Sequence, residues 1–217
     1  MTAYALRDGV TYCRIGEHNV FLDVVSDRYF CLQRRLNTAF TELSEDRDVE
    51  DELVHALRSS GIVIEAPAAG LLACVTDAPV CLDDDNPERR STFQALAGAI
   101  VRRARWTWNI RHRSLSDNIA QLENRRRSLS VRKTACTPPQ DLARAFRTAS
   151  VVWSEHGRCL PTAMALFEAL VTAGHPARLV FGVHLTPFYA HCWVELGGHL
   201  VNDEPERISQ FTPIRIV

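Results

Sequence analysis

The 217-residue sequence predicts an α+β protein in two parts, residues 1–80 and 81–217. Three observations lead there. A front segment runs from β-branched and aromatic stretches into two amphipathic helices, a loop-like stretch extends from Pro67 to Pro87, and a back segment runs from two helices into three strands.

In the front part, residues 20–25 and 28–33 are rich in β-branched and aromatic side chains and are separated by Ser26-Asp27, a hairpin pattern. Helical spacing begins at Leu36 and lasts through Leu43. A second helix is expected from Asp48, with Val49, Leu53 and Leu57 on one face and Gly61 closing it. Residues 61–65 then read as a short strand. Between Pro67 and Pro87 the composition turns to Ala, Gly and Pro and then to Asp83-Asp84-Asp85-Asn86, which is loop chemistry, and the boundary is set here.

Helix resumes at Ser91, the expected N-cap, and continues past Val101. Over 105–135 the density of Arg and Ser blurs any period, and Pro138-Pro139 ends that stretch. Leu142, Ala145, Phe146, Ala149, Val152 and Trp153 then recur at helical spacing. The next helix carries Leu160, Ala163, Met164, Phe167, Leu170 and Val171 on its buried side and ends before Gly174. Pro161 falls in its first turn, where proline is tolerated. Strands are expected at 178–183, 191–195 and 200–202, the last two joined through Gly197-Gly198.

Composition narrows the function classes. The first ten residues lack the charged start and apolar run of a secretion signal, and no segment approaches the roughly 18 uninterrupted apolar residues of a membrane span, so a soluble, cytoplasmic protein with no membrane partner is expected. Seven scattered cysteines without a CxxC pair suit neither a disulfide framework nor structural zinc, and HExxH is absent; no metal is expected. Residues 1–80 carry 7 Arg against 13 Asp plus Glu, whereas 102–133 carries nine Arg and Lys133 against Asp117 and Glu123. The basic run reads first as a solvated helix face and second as a site for phosphate, nucleic acid or an acidic partner.

The chemistry concentrates in the back part. Cys159 opens a helix, whose unpaired N–H groups and positive dipole end favour a thiolate and can receive the oxyanion formed when an amide is attacked. Arg158 adds neighbouring positive charge. His191 leads an otherwise apolar strand, His-Cys-Trp-Val-Glu-Leu, where a polar residue needs a reason, and Asp203 follows the partner strand. The three form a candidate nucleophile, general base and orienting carboxylate, with Asp203 on the ring nitrogen away from the thiol. Side chains alternate along strands, so a strict two-residue Gly197-Gly198 turn would put His191 and Asp203 on opposite faces. A three-residue connection, Leu196-Gly197-Gly198, or a bulge is therefore expected.

Arg158-Cys159-Leu160, Gly182-Val183, the run from Pro187 through His191-Cys192-Trp193 to Glu195, and Val201-Asn202-Asp203 together resemble the transglutaminase-like leader peptidases of lasso-peptide biosynthesis, the B-protein family, over roughly the last sixty residues. The resemblance implies a papain-like or transglutaminase-like cysteine peptidase domain, with the family's Cys, His and Asp on Cys159, His191 and Asp203. Cys192 departs from the small residue expected after the histidine. The acidic front part resembles the PqqD-like winged-helix module that recognises precursor leader peptides, carried by its short strands, by Tyr29 and Leu32, and by its two helices. Such a module takes an extended leader as an added strand, with Tyr29 and Leu32 as the substrate-binding candidates. DNA binding is disfavoured, because Asp48, Glu50, Asp51 and Glu52 in the candidate recognition helix would repel phosphate.

The resemblance further implies that the leader is bound and removed and the core peptide handed to a lasso cyclase resembling asparagine synthetase, which closes the macrolactam. The family's activity is associated with ATP. No P-loop is present, since the single lysine, Lys133, follows Arg132, so no cofactor is assigned to this chain and ATP use is expected in the partner cyclase, with the 102–133 region as the alternative. Two further readings stay open: acyl transfer to an amine by the same three residues, and a catalytically silent leader-binding adaptor.

Overall fold

Residues 10–15, Val-Thr-Tyr-Cys-Arg-Ile, put Val10 and Tyr12 on a buried face and Arg14 outside, the signature of a half-buried strand. The computed structural model describes residues 3–68, 70–76, 79–82, 91–129, 137–150 and 159–217. Asp83–Asn86, Lys133, Val152, Trp153 and Arg158, which the sequence reading singled out, lie outside the described residues. The chain divides into two compact units, Met1–Val75 with Thr212–Arg215, and Thr76–Phe211 with Ile216–Val217.

In the first unit, β1 (Ala3–Leu6) pairs antiparallel with β5 (Val63–Ala66). A second sheet has the order β2 (Val10–Ile15), β3 (His18–Asp23), β4 (Arg28–Cys31), all antiparallel, and α1 (Arg34–Ser44) and α2 (Asp51–Ser59) follow it. The core is aromatic: Phe21 stacks between Tyr12 at 5.6 Å and Phe30 at 5.2 Å, and Phe40 meets both Tyr12 and Phe21 edge-on at 4.9 Å. Buried Asn19 ties β3 to α1 through Asn37 and Thr41.

Three expectations shift here. The expected strand 20–25 ends at Asp23, because the Asp23 carboxylate accepts the N–H groups of Val25 and Ser26 and turns the chain. The second helix starts at Asp51 instead of Asp48, and Val49 packs onto the core ahead of it. Strands β1 and β2 add to those expected.

The second unit places α6 (Cys159–Thr172) at its centre. Ten of its fourteen residues are buried, because α3 (Phe93–His112), α4 (Leu115–Leu129) and α5 (Pro139–Ser150) cover one side while β7 (Ala177–His184) and β8 (Tyr189–Leu196) cover the other. Gly174, at φ 89°, ends it, and the N–H of His175 reaches back to the carbonyl of Leu170. Within this unit the strand order is β7-β8-β9-β6, completed by β6 (Val80–Cys81) and β9 (His199–Leu200), and the short α7 (Pro205–Ile208) follows β9. Gly182 is required where it stands, since a Cβ there would lie 2.5 Å from the Trp193 ring.

The N-cap of α3 is Thr92, not Ser91: its hydroxyl accepts the N–H of Ala95 at 3.2 Å. The 102–133 run is also more than a solvated face. Arg103 is buried, and Arg105 and Arg125 both clamp Glu168, which is 1 % exposed on α6 and accepts the indole N–H of Trp106 at 3.1 Å. Among the described residues of the run, Arg111, Arg113, Arg126 and Arg127 are exposed, as expected of a solvated face.

Candidate active site

Cys159 is the first residue of α6, half-buried where the helix meets the sheet. From β8, His191 reaches the same place; only 8 % of it is exposed, and its ring lies against Phe211 at 5.2 Å and Trp193 at 6.3 Å. Its Nε2 meets Oδ2 of Asp203 at 2.5 Å, and both side chains are 7 % exposed. The other Asp203 oxygen accepts the N–H of Glu204 at 3.0 Å, and Arg207 stands 3.9 Å from it. With Nε2 committed to the carboxylate, Nδ1 is the ring atom left for the thiol, and Cys159 and His191 line the same cleft.

The structure thus brings Cys159, His191 and Asp203 together, but by another route than the sequence predicts. The hairpin is a clean two-residue turn: Leu196 pairs with His199 and Glu195 with Leu200, and Gly197 and Gly198 have φ of 58° and 83°. The expected three-residue loop is wrong. Alternation would put the two residues on opposite faces only if the ladder continued, and it stops at Leu200. One more backbone bond forms, Val201 N–H to the Val194 carbonyl at 2.9 Å. The Val194 N–H then takes the side-chain oxygen of Asn202 at 2.7 Å in place of a strand carbonyl, so residues 201–203 bend and Asp203 swings onto His191. Asn202 is a site residue that sequence reasoning missed, although Asn is a residue type that competes with the ladder in this way.

Electrostatics favour a thiolate–imidazolium pair. Hydrogen bonding from the Cys192 side chain, followed by the hydrogen bond and charge of His191, brings the Cys159 thiol from its ordinary 9.0 down to about 4 against the opposing effect of burial. Burial alone would lower the imidazole. The hydrogen bonds to Asp203 and Cys159 and the two negative charges override it and raise His191 from 6.5 to about 9. Both directions favour the proton on His191 and negative charge on the Cys159 sulfur. The site opens into a cleft of ≈ 550 Å³, walled by Arg103, Phe146, Arg147, Thr162, Glu204 and Arg207. Arg103 donates through Nε to the Thr162 hydroxyl at 2.9 Å, which ties α3 to the first turn of α6.

A helix-borne thiol beside a strand-borne histidine and its carboxylate is an arrangement that acyl-transfer chemistry can use. The transglutaminase-like superfamily model matches residues 98–216, more than half of the sequence. The chain belongs to the transglutaminase-like superfamily. All three residues lie within the matched transglutaminase-like stretch. The chain is also 41% identical over 56 residues to the microcin J25-processing protein McjB of Escherichia coli, a match that covers 26% of this chain and 27% of that protein. It therefore spans about a quarter of the length of that curated relative. No solved structure matches the chain.

Tyr29 and Leu32 belong to the first unit. Tyr29 is half-buried on β4, opposite Leu22, while Leu32 follows the strand and packs against the core cluster. Leu32 takes the same side of the sheet as the stacked Phe30, and Tyr29 takes the other. Among the described residues, no group of three His, Cys, Asp or Glu side chains could hold a metal ion, and no helix is long and apolar enough to cross a membrane.

Proposed function

We propose that the chain is a cysteine peptidase that removes the leader peptide from a ribosomally made lasso-peptide precursor. The observation that carries this reading is the convergence of Cys159, His191 and Asp203 on one cleft, with His191 hydrogen-bonded to the Asp203 carboxylate. The partial similarity to a microcin-processing protein supports the precursor as substrate.

In this reading the Cys159 sulfur attacks the carbonyl of the scissile amide, and the N–H groups at the start of α6 receive the oxyanion. His191 gives its proton to the leaving amine, which departs as the N-terminus of the core peptide and leaves the leader as a thioester on Cys159. The neutral imidazole then takes a proton from water, hydroxide displaces the sulfur, and the leader leaves as a carboxylic acid. Asp203 holds the ring in one tautomer and stabilises its charge without accepting the proton.

The first unit is the leader-recognition domain in this account. β4 is an edge strand of the sheet β2-β3-β4, a position at which an extended peptide can add by main-chain hydrogen bonds, and Tyr29 is the side chain on its outer face. The chain works in the cytoplasm and passes the core peptide to an asparagine-synthetase-like cyclase, to which any ATP use belongs. The test is a mass-spectrometric assay with a lasso-peptide precursor, using wild type and Cys159→Ala, each with and without the cyclase and ATP. Expected are cleavage by wild type without ATP, no cleavage by Cys159→Ala, and unchanged leader binding by both. Leader binding without cleavage by wild type under every condition would replace this reading with the adaptor one.

A further inference from the structure

On α5, Ala143, Phe146, Arg147 and Ser150 stand at positions i, i+3, i+4 and i+7, so one face of the helix lines the cleft at Cys159. Arg103 of α3 and Arg207 of α7 line it as well. The three arginines are held differently. Arg103 is 5 % exposed, and the bond from its Nε to the Thr162 hydroxyl fixes it beside the first turn of α6. Arg147 is exposed, and its guanidinium has no ion-pair partner among the described residues. Arg207 is also exposed and stands 3.9 Å from an Asp203 oxygen that already accepts the Glu204 N–H.

We infer that the cleft selects a peptide with an acidic side chain close to the scissile bond, and that Arg147 and Arg207 are the residues that determine this specificity. This rests on the reading of the cleft as a peptidase site and narrows its substrate class. Charge balance carries the inference. Near neutral pH, Cys159, His191 and Asp203 together hold one negative charge whether the proton shared by thiol and imidazole sits on sulfur or on nitrogen. Glu204 adds a second against the three arginines, so among the described residues the lining is left with one positive charge in excess. A single substrate carboxylate brings it to balance.

The rest of the wall includes Leu82, Phe146, Leu200 and Val201, apolar side chains that exclude water and strengthen the field between the arginines. A guanidinium presents paired N–H donors that match the two oxygens of a carboxylate. A lysine on the substrate meets the excess positive charge and is disfavoured, whereas an uncharged amide gains only its hydrogen bonds. Glu204, exposed on the same cleft, repels the acidic side chain and so acts in the opposite direction to the two arginines.

The experiment uses the full chain and a lasso-peptide precursor in which each residue flanking the scissile bond, up to the third on either side, is replaced in turn by Glu, Gln or Lys. Mass spectrometry reads kcat/KM for each peptide. Expected is a position at which Glu is cleaved roughly tenfold more efficiently than Gln, and Lys less efficiently than Gln. That Glu/Gln ratio should fall toward one in Arg147→Gln and in Arg207→Gln, both exposed positions, and rise in Glu204→Gln. A ratio that one arginine substitution leaves unchanged removes that arginine from the assignment. Equal cleavage of Glu and Gln peptides by wild type at every position, or a ratio that neither substitution lowers, overturns the inference and leaves the peptidase reading intact. Wild type that cuts none of the peptides would remove both.

Discussion

Asp203 Oδ2 lies 2.5 Å from Nε2 of His191, although the register of their hairpin assigns the two residues to opposite faces. The contact exists because the strand stops at Leu200 and the chain bends through Asn202.

Removal of the carboxylate should lower turnover far more than stability. Asp203→Ala is expected to reduce kcat for precursor cleavage by roughly 10²–10⁴-fold, since the imidazole loses both its orientation and the charge that stabilises its protonated form. Asp203→Asn keeps the shape and loses the charge, so it should fall in the same range. A variant within threefold of wild type would contradict the role given to Asp203.

Asn202→Ala tests the bend itself. Without the Asn202 oxygen the Val194 N–H loses its partner, and Asp203 is no longer held at His191. The expected result is a loss of about 1–3 kcal/mol in urea unfolding together with a drop in kcat at nearly constant KM. Asn202→Asp, which keeps an acceptor, should recover most of both.

The pH dependence of stability follows from the two shifts. His191 lies above its ordinary value, so its contribution is complete below 6.5 and fades as pH rises through about 9. Cys159 lies below its ordinary value, so its contribution is complete above 9.0 and fades as pH falls through about 4. Between 6.5 and 9 the opposing slopes cancel, because folded and unfolded chains each hold one proton on the pair. Between 6.5 and 4 the unfolded pair holds one proton more, so stability declines as pH falls. Wild type should therefore lose more stability than Cys159→Ala from pH 6.5 to 4.5 in denaturant titrations, and equal losses would contradict the ion pair.

Glu168 anchors α6 against α3 and α4 through Arg105, Arg125 and the Trp106 indole. Glu168→Ala should destabilise the protein by about 2 kcal/mol, because it strands a buried indole N–H and breaks two ion pairs whose arginines are partly exposed. Calorimetry should show the lower Tm, and Glu168→Gln should lose less, since an amide oxygen still accepts from Trp106.

Much of this was legible in the residues themselves. The apolar run of α6 and the strands around His191 follow from spacing, and a cysteine at a helix start with a histidine leading an apolar strand is a chemical signal in its own right. What escaped depended on where regular structure stops. Whether the ladder ran on past Leu200 decided on which side Asp203 would fall, and alternation carries no information about strand ends. Asp23 likewise cut β3 short by capturing two N–H groups, and Thr92 took the N-cap from its neighbour Ser91, a choice between adjacent residues that can both cap. Strand β2 was visible in its alternation but lies between Gly9 and Gly16, both at positive φ, and such glycine punctuation obscures a short strand. The arginines at 103, 105 and 125 read as surface because charge density alone does not reveal a buried glutamate elsewhere in the chain.

The most direct test of the central claim is the rate at which Cys159→Ala cleaves the precursor peptide, measured by mass spectrometry beside wild type at pH 7. The account predicts cleavage by wild type at a single bond and none above the uncatalysed background by the variant, with leader affinity unchanged. Cleavage by the variant at a rate comparable to wild type would remove Cys159 as the nucleophile and contradict the account.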